Sequence, residues 1–223
     1  MSHVLADLLT LGVAVAISPI AMVAVILMAT SGKGRTNGTA FMLGSYIFCI
    51  VFVGSLVVIG RSAGADDEES ATHMLIDAVE IALGAFLVVM AVRQWQRRSH
   101  TGTPQWMNAI DGMTVWKAFI VGILISGPLS PKDLPLLFAA SGRISQAELA
   151  VHEVVAVVLI FGVIGVMAII IPWLISVIAP SQVEMRLSGL RDWLIGNHAV
   201  IMTVLFLILG AKLIGAGVAD LVS

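Results

Sequence analysis

The sequence predicts an all-α integral membrane protein of six transmembrane helices, built as two inverted-topology three-helix repeats, with helices 1 and 4 interrupted at Ser-Pro. Three observations predict it. The 223 residues are 59% hydrophobic and only 12% charged, with mean hydropathy +1.03, whereas a soluble domain carries about 25% charged residues. Six apolar segments reach the length of about 20 residues that a bilayer crossing needs. Short motifs recur in the same order in both halves of the chain.

The six segments cover residues 4–28, 40–59, 74–92, 115–140, 150–177 and 199–222. The first is as long as a spanning helix and lacks the basic start and short apolar core of a cleavable signal. The second holds Cys49, the single cysteine, which excludes an internal disulfide and a two-thiol relay. The fourth is the least regular: a helix to about Ser126, a break, and a second piece from Ser130. Two stretches between segments have interfacial character. Ser181 and Glu184 form a capping box, and Val183, Leu187, Leu190 and Leu194 follow at helical spacing with Trp193 beside them. That pattern predicts a short amphipathic helix lying on the inner leaflet; an ordinary ordered loop is the alternative. Residues 104–113, between Trp106 and Trp116, repeat the pattern less regularly.

Charge sets the orientation. The first, third and fifth loops carry Lys33, Arg35, Arg93, Arg97, Arg98, Lys117, Arg186 and Arg191. The second and fourth carry Arg61 and Arg143, with Asp66, Asp67, Glu68 and Glu69 also in the second. The positive-inside rule then places the odd loops in the cytoplasm and both termini outside. The expected location is a bacterial plasma membrane, crossed several times.

The repeat is read from three matches. Ser18-Pro19, an apolar run and Ser31-Gly32-Lys33 correspond to Ser130-Pro131, an apolar run and Ser141-Gly142-Arg143. Leu83-Gly84-Ala85-Phe86-Leu87 of the third segment corresponds to Leu209-Gly210-Ala211-Lys212-Leu213 of the sixth. One membrane domain, 1–223, thus divides into a repeat over 1–98 and a second over 115–223. Three crossings per half require the halves to insert in opposite orientations, with a substrate site expected near the midplane between them.

Proline inside a helix removes a hydrogen bond and clashes with the preceding turn, but at the first helical position its missing N–H costs nothing. Serine is a favoured N-cap. Ser18-Pro19 and Ser130-Pro131 therefore read as the starts of two half-helices whose free N–H groups face a shared cavity and suit an anionic group. The alternative is that both prolines kink continuous helices. Lys132 and Asp133 follow directly, and each charge in hydrocarbon costs roughly 2.5–3.5 kcal/mol on insertion scales. Burial penalises the charged carboxylate, which makes Asp133 the candidate for proton or cation coupling. Lys132 would neutralise it or contact an acidic substrate; a self-compensating structural pair is the competing reading. Lys212 is an accessory candidate that would otherwise snorkel to the interface. Glu153 and His152, with Asp77 and Glu80, are accessory candidates for an outer vestibule, or ordinary interfacial residues. The glycines suit close helix packing in lipid and are compatible with a homodimer.

No zinc motif, phosphate loop or nucleophile–base arrangement is present, the five histidines lack ligand spacing, and nothing points to nucleic acid. The sequence predicts no enzyme, no cofactor and no metal. Membrane lipids are the expected partners.

Ala16-Ile17-Ser18-Pro19-Ile20, Gly127-Pro128-Leu129-Ser130-Pro131-Lys132 and the paired Leu-Gly-Ala-x-Leu motifs together resemble the LysE superfamily of small bacterial exporters. Within it the chain is most similar to the GAP family of peptidoglycolipid- and sulfolipid-addressing proteins, over nearly its whole length. The resemblance implies movement of an anionic lipid or glycolipid, or its precursor, toward the cell surface beside larger lipid-export machinery. By superfamily analogy it implies proton coupling. Two further readings stay open: a LysE-type exporter of a small polar solute or cation, and a non-transporting scaffold for lipid-export machinery.

Overall fold

A computed structural model describes residues 2–31, 33–63, 69–96, 112–147, 149–178 and 183–222. The described residues are helical throughout, without strands: α1 (Ser2–Ala16), α2 (Pro19–Thr30), α3 (Gly34–Ala63), α4 (Glu69–Gln96), α5 (Val115–Ile125), α6 (Asp133–Gln146), α7 (Val151–Gly165), α8 (Met167–Ile178) and α9 (Val183–Val222). Three of them, α3, α4 and α9, are long and apolar enough to cross a membrane alone. The count rises to five when the bent pairs α1–α2 and α7–α8 are each taken as one span. The chain is a multi-pass membrane protein.

The first segment turns by 52° between α1 and α2. Ser18 occupies the N-cap of α2 in extended geometry (φ −124°, ψ 97°), and Pro19 takes the first helical position. In the fourth segment α5 stops at Ile125 and α6 starts at Asp133. Regular helix thus resumes two residues later than Pro131, with Lys132 at the N-cap. The intervening turn closes on the end of α5, as Leu129 N donates to Leu124 O (2.9 Å) and Ser130 N to Gly127 O (2.9 Å).

Two features differ from the sequence expectation. The fifth segment, read as one crossing, bends by 60° at Val166 between α7 and α8. Pro172 lies six residues further on, inside α8. The bend has a packing cause: α7 lies against α1 and α8 against α2, so one bent pair follows the other. The second difference is α9. The stretch expected to form a separate interfacial helix is continuous with the last crossing in a single 40-residue helix. Leu187 and Leu194 are buried against Val23 and Ile26 of α2, so their apolar face meets protein rather than the leaflet. The Ser181 cap, and the second interfacial stretch up to residue 111, lie outside the described residues.

The remaining packing pairs helices of the two halves. Helix α3 runs along α5 and α6, and α4 runs along α9. A Cβ on Gly84 would stand 2.8 Å from Gly210 O, and a Cβ on Gly210 would stand 2.8 Å from Gly84 O. Gly217 meets Asp77 O in the same seam, so α4 and α9 are antiparallel. Only glycine permits so close a backbone approach, which favours helix packing in lipid. The largest core cluster gathers Leu11, Val53, Leu87, Leu136, Leu137 and Phe206 from α1, α3, α4, α6 and α9.

Candidate functional site

The break between α1 and α2 leaves three carbonyls, Ala14 to Ala16, without helical partners, since Ile17 still bonds Val13. In hydrocarbon each must be satisfied inside the protein. Ile17 N donates to Val13 O (3.1 Å) and Ser18 N to Ala16 O (2.8 Å). The other two are met by Lys132, whose Nζ donates to Ala14 O (3.1 Å) and Val15 O (2.9 Å). Its third proton goes to Asp133 Oδ1. An ammonium has three donors, so Lys132 is saturated, and it is wholly buried. A cation at the end of α1 also complements the negative end of the helix dipole. The second half of the chain thereby holds open the break in the first.

Asp133 is equally buried, in the first turn of α6, with the Ser130 side chain beside it. Ser18 and Ser130, over a hundred residues apart, line the same cavity of about 260 Å³ together with Pro131. Ile20, Leu124, Leu129 and Met202 supply apolar wall. The Ser18 hydroxyl makes no capping bond, and Pro19 is buried at the start of α2. Leu129 is 64% exposed, so the cavity reaches the outer surface of the bundle at this residue. It offers two hydroxyls in an otherwise apolar chamber, which suits an apolar chain with a small polar end.

Ser18, Ser130 and Pro131 thus share one cavity, whereas Lys132 and Asp133 are buried against the end of α1 and are not among its lining residues. The accessory candidates lie elsewhere. Lys212 donates to Asp7 Oδ1 (3.2 Å) between α9 and α1, partly exposed. Glu153 accepts from Ala150 N (2.8 Å) and closes the first turn of α7, while His152 is exposed next to it. Glu80 is buried and receives Arg143 Nη2 at 3.0 Å. Two long-range contacts to which sequence reading gave no role tie the surrounding elements together. Asn37 Nδ2 donates to Met113 O (2.9 Å), and Met113 lines the cavity. Arg61 Nη2 donates to Ala147 O and Leu149 O and fixes the end of α6 to α3. Both are long-range contacts to backbone carbonyls, which leave no sequence signature. Among the described residues no group of His, Cys, Asp or Glu is arranged to hold a metal.

No curated protein and no solved structure matches the chain. Residues 8–219 match a family model described as Sap, sulfolipid-1-addressing protein, and the chain belongs to that family.

Proposed function

We propose that this protein is a transporter or lipid-translocation factor that moves an anionic lipid or glycolipid, or its precursor, toward the cell surface of a bacterium with proton coupling. The observation that carries the reading is the apolar cavity joining Ser18 to Ser130 and reaching the surface at the exposed Leu129, which in this reading faces the bilayer. A route for a polar solute needs an enclosed polar lining, whereas a lipid route needs lateral access. Membership of a family described as sulfolipid-addressing supports lipid addressing or export.

In this reading residues 1–98 and 115–223 are inverted repeats related by an axis near Gly84 and Gly210. The reciprocal glycine contact and the antiparallel run of α4 and α9 support it. So does the crosswise packing of α3 on α5 and α6, and of α7 and α8 on α1 and α2. The segments α5 and α6 together make the fourth crossing, for six in all. Both termini face outward in the plasma membrane, in keeping with the lysine and arginine distribution. Asp133 carries the coupling proton; when it is protonated, the Lys132 ammonium is left buried without its counter-charge, which destabilises this packing and lets the halves rock about the Ser-Pro breaks. Ser18 and Ser130 hold the polar end of the lipid. The protein works without catalytic chemistry, and larger export machinery receives its cargo.

The saturation of Lys132 favours one competitor, a non-transporting scaffold in which the pair is purely structural. Native mass spectrometry of the protein released from mild detergent, beside Asp133→Asn, separates the two. A retained anionic lipid, lost or altered in the variant, supports lipid handling. A small polar solute moves the assignment to an exporter of such solutes. Empty protein in both samples supports the scaffold.

A further inference from the structure

A second cavity lies further along α6, between α3, α4 and α6, with a volume of about 220 Å³. Its floor is Ala139, Ser141 and Gly142 of α6, all buried. The hydroxyls of Ser141 and Ser145 are turned back onto their own helix, donating to Leu137 O and Ser141 O, so they leave the chamber apolar. Glu80 reaches the cavity, but its carboxylate receives Arg143 Nη2 at 3.0 Å and is 3% exposed. The charge is thus held at the wall by its partner.

Three lining residues also face outward: Ile59 is 61%, Val79 44% and Phe138 41% exposed. The chamber is therefore continuous with the apolar outer surface of the bundle, and these three residues lie within the apolar segments 40–59, 74–92 and 115–140, whose exposed side chains are expected to meet lipid. Its volume is below the roughly 300–1,000 Å³ of sites that hold a whole drug-sized ligand. It fits a segment of one chain.

The first cavity uses Leu129 to Pro131 and the second Phe138 to Ser145. Pro131 and Phe138 are seven residues apart, a rise of about 10 Å along a helix. Between them on the chain stand Lys132, Asp133, Leu136 and Leu137, all buried. One chamber thus adjoins the turn that leads into α6, the other lies along the later part of α6, and the buried Lys132 and Asp133 stand between them on the chain.

We propose that the cavity between α3, α4 and α6 is a second binding site for a lipid acyl tail, entered from the bilayer past Ile59, Val79 and Phe138 and separated along the chain from the Ser-Pro cavity by the buried Lys132–Asp133 pair. The inference rests on the lipid reading given above. It adds a second station for the same cargo, so that a tail leaving one chamber has an apolar chamber to enter without crossing water.

The test uses the full chain in nanodiscs of phosphatidylglycerol and phosphatidylcholine. A trace of phosphatidylglycerol carries a photoactivatable diazirine at the end of one acyl tail, and cross-linked residues are mapped by mass spectrometry. The expected result is label on the buried floor, at Ala139, Ser141 and Gly142, as well as at Ser130 and Met202 of the first cavity. Leu83→Trp and Leu56→Trp, which fill the second cavity from α4 and α3, are each expected to cut floor labelling at least fivefold while sparing Ser130 and Met202. Label confined to the exposed Ile59, Val79 and Phe138 would identify annular lipid and overturn the proposal. Unchanged floor labelling in both filled variants would overturn it too. The wild-type map decides even if neither variant folds. Label in the first cavity alone sinks this inference and leaves the lipid reading intact; label in neither floor sinks both.

Discussion

At Lys132 one side chain answers two demands. It neutralises a buried carboxylate, and it satisfies two carbonyls freed by a helix break more than a hundred residues away. Removing one partner of a buried ion pair costs about 3–5 kcal/mol, and here two acceptors are orphaned as well. Lys132→Met is therefore expected to lower stability by at least that amount, seen as a large drop in melting temperature in detergent. Asp133→Asn keeps an acceptor for Lys132 but leaves the buried ammonium without its counter-charge. We expect it to lose a similar amount, about 3–5 kcal/mol, and to abolish coupled transport. PH-dependent transport that persists in Asp133→Asn would remove the residue from the coupling role.

Among the elements, the α4–α9 seam is set by its glycines. A Cβ at either Gly84 or Gly210 would press on a backbone oxygen of the partner helix, where no side chain can move aside. Overpacking of this kind typically costs 1–3 kcal/mol. Gly84→Ala and Gly210→Ala are each expected to destabilise by about that much. Because both act on one contact, the double variant should lose less than the sum. Thermal unfolding of the two single variants and the double checks this; strict additivity would show that the two glycines do not share one seam. The α7–α8 bend belongs to the same scale: it has no proline at its corner and follows the bend in α1–α2.

For the whole molecule, α9 is the element that most exceeds one crossing. Its forty residues of helix span about 60 Å, against roughly 30 Å of hydrocarbon. Near its N-terminal end Arg191 and Asp192 pair at the surface and Trp193 is 56% exposed. The proposed orientation puts this end in the cytoplasm. Single cysteines at Trp193 and at Ser62, in a Cys49→Ala background, test it with a membrane-impermeant thiol reagent on intact cells. Label at position 62 and protection at 193 is expected. The opposite pattern would invert the topology.

Much was legible in the chain because bilayer physics writes itself into composition and punctuation. Apolar runs mark most of the helices, and Ser18-Pro19 marks the corner between α1 and α2, because a proline without an N–H can begin a helix more cheaply than it can continue one. The Lys132–Asp133 pair stood out because charge in hydrocarbon demands an explanation. Tertiary structure decided the rest. That Lys132 reaches Ala14 and Val15, that Ser18 and Ser130 share one cavity, and that Glu80 meets Arg143 are meetings of distant residues, for which no local pattern codes. The bend at Val166 and the continuity of α9 are likewise imposed by neighbours: each apolar face settles against whatever surface the fold presents, and periodicity reports only that such a face exists.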